Sequence, residues 1–261
     1  MTSSPIRPLR RLALAALPAL LLAACGGGGD DNLDDRLDLA DPKVRVVHAV
    51  PFAPSVTLYR NDRTVSSETS NLPYRGASNY FDVSTSTDRW EVRTATSPSV
   101  SVGSLSFDAR RGNKYTLVAV ASSDSLTELA WIDDPYNKSL ASDNARVRVF
   151  NAAFNTSAPD VYLSPVTADI AVVPPSFAAV GYKTARPASG DDSTQFEGGS
   201  YRLRLTAAGS KTPFFSAPVT LPRNADWLLL LVPGGASPTA VRVLVVQSDS
   251  NQPATELASA P

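Results

Sequence analysis

His48 and Cys25 are the single histidine and single cysteine of the 261-residue chain, and together they bound the chemistry it can do. One histidine cannot build an HExxH zinc site, and one thiol cannot build a cysteine cluster or leave a spare sulfur for a Cys–His dyad once Cys25 is engaged. A Ser-His-Asp triad would have to use His48, and no GxSxG turn presents a serine to it. No GxxxxGK[ST] loop cradles phosphate, because the glycine run Gly26 to Gly29 has no lysine after it. Carboxylates remain, since an acid–base pair is defined by separation in space. No catalytic residue, cofactor or metal ligand is assigned on these grounds, and a carboxylate-based hydrolase is the least expected of three functions.

His48 falls, counting by twos, on the same face as Val44 and Val46, and the corresponding position about a hundred residues later is Asn151. Asparagine cannot act as a general base, but its amide can donate a hydrogen bond much as imidazole Nδ1 does. His48 and Asn151 are therefore expected to be structural polar residues that close strand ends by bonding backbone carbonyls. Among the aromatics, Trp90 and Trp227 alternate with apolar residues in the manner of core side chains. Trp131, Tyr136 and Phe214 are the candidate partner contacts, the first two beside Asp133, Asp134 and Pro135, the third in a turn after Pro213. Arg45, Arg148, Arg202 and Arg204 alternate with apolar residues and are expected on solvent faces, where charge discourages edge pairing.

The elements that must position these residues are short strands with period-two alternation, separated by Pro, Asn, Asp, Ser and Gly clusters. After Lys43 the runs are Ser55 to Arg60, Asn79 to Val83, Trp90 to Thr94, Ser104 to Asp108, Tyr115 to Ala121 and Leu126 to Ile132. The opening KVRVVHAVPFAPSVTLY recurs as ARVRVFNAAFNTSAPDVYL from Ala145, at an offset of 103 to 105 residues. That period is the size of a whole domain and too long for a solenoid unit. The expectation is all-β: two tandem immunoglobulin-like antiparallel β-sandwiches, 43–134 and 145–249, with a linker at 135–144 and a loose tail at 250–261.

Residues 1–24 read as a secretory leader: Arg7, Arg10 and Arg11 precede the uncharged run Leu12 to Ala24, which is too short to span a bilayer. Leu22, Ala23, Ala24, Cys25 resembles the lipobox of bacterial lipoproteins, which implies lipidation at Cys25, palmitate-type acyl chains and membrane attachment at about 0.8 kcal/mol per buried CH₂. Gly26 after the cysteine favours the outer membrane. Residues 25–42 carry six aspartates against Arg36 and are expected to be a flexible tether. The EF-hand glycine and terminal glutamate are missing, so no calcium loop is assigned. Loss of the leader removes three of 24 basic residues and none of 25 acidic ones, and a weakly acidic exported chain is a poor match for nucleic acid.

VRVVHAVPFAPSVTLY, LPYRGASNYFDV and WEVRTA resemble the bacterial domain of unknown function 4397 family, which is marked by a Val-His-Ala, x, Pro, x, Ala-Pro opening. The likeness covers most of Lys43 to Asp134, with a weaker second copy in which EGGSYRLRLTAAGS, Glu197 to Ser210, is similar to the family's glycine turn and following strand. Phe52 and Thr57 depart from the family's acidic residues, and the second copy lacks the histidine. The resemblance implies fold and envelope location and no activity. The expected function is a lipid-anchored, non-catalytic binding module for an envelope glycan or protein, with a structural spacer as the alternative.

Overall fold

The computed structural model describes residues 39–123, 127–136, 142–234, 237, 239–248 and 254–260, so Cys25, the leader and most of the tether lie outside the described residues. The first half contains β1 (Lys43–His48), β2 (Val56–Arg60), β3 (Arg63–Thr64), β4 (Phe81–Asp82), β5 (Thr87–Thr94), β6 (Ser101–Asp108), β7 (Asn113–Ala121) and β8 (Thr127–Pro135). The second contains β9 (Asn144–Asn151), β10 (Asp160–Pro165), β11 (Ala185–Arg186), β12 (Thr194–Glu197), β13 (Gly199–Thr206), β14 (Pro213–Leu221), β15 (Asp226–Pro233), β16 (Val241–Gln247) and β17 (Thr255–Leu257). Among the described residues there is no helix, and the fold is an all-β sandwich architecture.

Four sheets result. Strands β4-β1-β7-β8 face β3-β2-β5-β6 in the first half, and β11-β9-β15-β16-β17, with β12 also on β9, faces β10-β13-β14 in the second. Most pairs are antiparallel, but β1 runs parallel to β7 and β9 runs parallel to β15. The first strand of each half is thus the neighbour of a late strand, a pairing that only a chain returning over the top of the sandwich can make.

Alternation decides the inner faces. Val44, Val46, Leu58, Trp90, Val92, Phe107, Tyr115 and Leu117 form one core, and Val147, Val149, Val161, Leu203, Leu205, Phe215, Trp227 and Leu229 form another. A third apolar cluster lies between the halves: Val47, Ala49, Val118, Val120 and Ile132 pack against Phe150, Ala152, Leu228, Leu230, Val232, Leu244 and Val246. The outer face of the β1-β7 sheet therefore packs on the outer face of the β9-β15 sheet, giving four layers with an apolar cluster at the middle seam. This explains the apolar runs LVAVA at the end of β7 and LLLLV in β15: where a strand is covered on both faces the alternation with polar residues disappears.

The seam corrects the expected solvent exposure of Arg45 and Arg148. Both sit on the outer faces of their sheets, but those faces are covered by the other half, so the two arginines are 3% and 2% exposed. Nor do they guard edges, since β1 and β9 each have neighbours on both sides. Residues 250–261 are not wholly a loose tail: Thr255–Leu257 adds an antiparallel strand to β16, and Ala260 N–H donates to the Ser216 carbonyl at 2.6 Å. Val243 and Val245 leave β16 with an open edge, which that short strand covers.

Candidate functional site

His48 and Asn151 are both fully buried and make equivalent bonds. His48 Nε2 donates to the Pro54 carbonyl at 3.1 Å while Nδ1 accepts from the Val50 N–H at 3.2 Å. Asn151 Nδ2 donates to the Val180 carbonyl at 2.9 Å while Oδ1 accepts from the Ala153 N–H at 2.9 Å. In each case one side chain accepts from the N–H two residues on and ties the strand end to a loop carbonyl. The donor on the histidine is Nε2, not Nδ1, because the turn at Val50 already needs Nδ1 as an acceptor. Burial lowers the His48 pKa below its usual 6.5, against the opposing pull of the Pro54 and Ala53 carbonyls. The ring is neutral, bonded at both nitrogens and closed off from solvent, which is a structural role for His48.

The seam also holds charge. Asp134 Oδ1 accepts from Arg146 Nη2 at 3.2 Å and Arg148 Nη2 at 3.0 Å, and Arg148 Nη1 donates to the carbonyls of Pro187 and Ala188 at 2.7 and 2.6 Å. Burial by itself would lower the Arg146 pKa, yet the Asp226 and Asp134 carboxylates raise it. Arg45 donates to Thr116 Oγ1 and to the Gln247 carbonyl and lies 4.5 Å from the Tyr80 ring centroid. Asp134 and Asp226 share the walls of a cavity of about 10 Å³. That is room for a single water and not for a sugar ring, and its carboxylates face arginines.

Tyr136 belongs to this buried group, which corrects its expectation as a partner contact. It is 1% exposed, with Lys114 Nζ 3.6 Å and the Arg146 guanidinium 5.4 Å from its ring centroid. The seam claims it because the chain must cross from one sandwich to the other at this point. Phe214 is half-buried and packs against the second core beside Phe215, which leaves little of it to offer.

Trp131 is placed differently. It is 39% exposed at the rim of the seam, on the edge strand β8. Its ring is stacked on Phe107 at 4.9 Å between centroids with an 8° interplanar angle, and on Tyr115 at 5.8 Å. Gly103 permits this arrangement: a Cβ there would stand 2.6 Å from the Leu129 backbone nitrogen, so only glycine lets β6 close against β8. The part of Trp131 away from that stack lines a cleft of about 270 Å³ between the halves, whose other walls are Phe150, Lys183, Thr184, Ala185, Arg186, Ala188 and Ser189. Asp133 and the Ser189–Gly190 turn tie the two sides together through bonds of 2.8 and 2.9 Å. Tyr182 anchors the same loop by donating to the Ala121 carbonyl at 2.6 Å, and burial with the Glu128 charge raises its pKa to about 12. Lys183 pairs with Glu128 at the mouth.

An aromatic face backed by a stack, with Arg186, the Glu128-paired Lys183 and two hydroxyls around it, suits a ring of amphipathic character that carries an acidic group. Lys183, Arg186 and Ser189 gave no sequence signal, since they lie on and beside the two-residue strand β11, which is too short to show periodicity, and reach Trp131 only through the seam. Among the described residues no group of three or more His, Asp or Glu side chains could hold a metal, and no helix is long and apolar enough to cross a membrane.

Comparison with known proteins adds one match. The family model described as Domain of unknown function (DUF4397) matches residues 42–162, which run from the start of the first sandwich into β10 and so include both sides of the Asp134, Arg146 and Arg148 cluster. No curated protein matches the chain.

Proposed function

Since residues 42–162 match the DUF4397 family model, whose description assigns no activity, we propose a function from sequence and geometry together: a lipid-anchored cell-envelope protein whose paired sandwiches form a non-catalytic binding module for an envelope glycan. Cys25 carries the anchor, residues 26–42 hold the sandwiches off the outer membrane, and the two sandwiches are copies of one domain, 43–134 and 145–249. The matching parallel pairs β1/β7 and β9/β15 and the matching bonds of His48 and Asn151 support the duplication.

The observation that carries the binding reading is the cleft at Trp131, where a stacked indole meets Lys183 and Arg186 from the other half. A sugar ring laid on the indole would bury apolar CH groups, and a carboxylate on it would meet the cations. The test is retention of envelope glycan fractions on the immobilised mature chain carrying Cys25→Ser. Saturable retention that Trp131→Ala abolishes supports the reading, and equal retention by wild type and variant contradicts it.

A structural spacer is the second reading, and the seam favours it. Thirteen buried apolar residues joined face to face would set the two sandwiches at one fixed angle with no ligand required. A chain that retains no glycan or envelope protein, and whose deletion alters envelope spacing, would support the spacer.

A further inference from the structure

On the outer face of the β10-β13-β14 sheet, Arg202 and Arg204 lie one pleat apart, about 6.7 Å along β13 at roughly 3.3 to 3.4 Å per residue. With Val166, Pro213 and Ser216 they line an open groove of about 530 Å³. Arg202 Nη1 donates to Ser216 Oγ and Arg204 Nη1 to Ser164 Oγ, both at 3.0 Å. Each hydroxyl, having accepted, keeps its own proton to give. Lys211 lies outside the groove lining: its Nζ donates to the Val173 carbonyl at 2.6 Å and stands 5.0 Å from the ring centroid of Tyr162, which is opposite Arg204 across β10 and β13. The carboxylate that bears on Arg204 is the exposed Asp169, and its pull is outweighed by burial and by the like charge of Arg202, which together lower the Arg204 pKa.

The same place in the first sandwich is built the other way. With Leu58 opposite Val92 and Leu163 opposite Leu203, Glu91 stands where Arg202 stands and Arg93 where Arg204 stands. Glu91 accepts from Arg93 at 2.6 Å and from Arg89 at 3.0 Å, and those bonds, Arg93 first, hold its pKa down at about 2. In the first sandwich these two positions hold an acid and a base, whereas in the second both are arginine.

We infer that the Arg202–Arg204 groove binds oxyanions, either a free anion such as phosphate or the carboxylates of an acidic oligosaccharide. Guanidinium forks match the oxygens of such groups, and Ser216, which lines the groove, offers a further donor. The groove is on the opposite face of the second sandwich from the seam, so it stands or falls independently of the Trp131 cleft.

The test is calorimetric titration of the full mature chain carrying Cys25→Ser, at low ionic strength, with inorganic phosphate and with an oligogalacturonate. The variants are Arg204→Gln, Arg204→Lys and Arg202→Gln, with Arg63→Gln on an exposed strand of the first sandwich as the control for bulk charge. Saturable binding is expected, weakened at least tenfold in Arg204→Gln and Arg202→Gln, less in Arg204→Lys, and unchanged in Arg63→Gln. Phosphate binding as tightly as the oligomer assigns the groove to a small anion, and binding of the oligomer alone assigns it to chain-borne carboxylates; both support a site. Absence of saturable heat with either ligand, or loss no greater in the groove variants than in the control, overturns it.

Discussion

Arg148 donates to Asp134 at 3.0 Å across the boundary between the two sandwiches, and both groups are shielded from water. Because Arg146 binds the same carboxylate oxygen, one carboxylate of the first half bridges two guanidinium groups of the second. Removing it should leave Arg148 buried without its carboxylate and Arg146 with Asp226 as its remaining acid. Asp134→Ala is expected to cost about 3 to 5 kcal/mol, the usual penalty for breaking a buried ion pair, measured by urea unfolding. A loss under about 1 kcal/mol, the value of an exposed pair, would show that the cluster is not sealed.

The seam should also couple the halves. Leu230→Ala, on the seam face of β15, is expected to lose about 2 to 5 kcal/mol and to separate one cooperative transition into two. Far-ultraviolet circular dichroism and near-ultraviolet signals from Trp90 and Trp227, one in each core, report it. Coincident transitions in wild type and non-coincident ones in the variant are the expected pattern; two separate transitions already in wild type would contradict a stabilising seam.

The fully buried His48 is held neutral, so its folded pKa lies below 6.5. As pH falls the unfolded chain takes the proton first, so this contribution is complete above about 6.5 and declines as pH drops toward and through the folded value. His48→Asn, which supplies the group that Asn151 supplies in the second half, should flatten the limb between pH 6.5 and 5.5 in a series of Tm measurements. An unchanged limb in the variant would assign the decline to other groups.

Glu91 works at lower pH. Its folded pKa of about 2 lies under the ordinary 4.5, so its contribution is full above 4.5 and is lost as pH falls through about 2. Glu91→Gln should therefore be less stable than wild type at pH 6 and approach it at pH 2. A constant difference across that range would point to packing instead of charge.

Much of the architecture was legible in the chain because one inner face per strand imposes a period of two, as in Val44 and Val46 or Leu203 and Leu205. Burial of a second face hides that signal. Val118, Val120, Leu228 and Leu230 complete unbroken apolar runs, and only a partner surface explains them. Arg45 and Arg148 misled for a related reason: alternation reports which face a side chain is on, not whether something covers that face. Trp131 stood out by its place beside Asp133, Asp134 and Pro135, but its partners Lys183 and Arg186 come from a segment over fifty residues away in sequence, which no local pattern encodes. Tyr136 carried the same local signal as Trp131 and was taken into the seam.

The binding reading rests on the open face of one indole, and the three tryptophans allow it to be watched directly. In ¹H–¹⁵N spectra of the ¹⁵N-labelled mature chain carrying Cys25→Ser, titrated with an acidic envelope oligosaccharide, the Trp131 indole resonance should move saturably. Those of Trp90 and Trp227, closed in their cores at 1% and 8% exposure, should stay in place. Binding that leaves the Trp131 resonance unmoved, or that persists at full strength in Trp131→Ala, would contradict the cleft as the binding site.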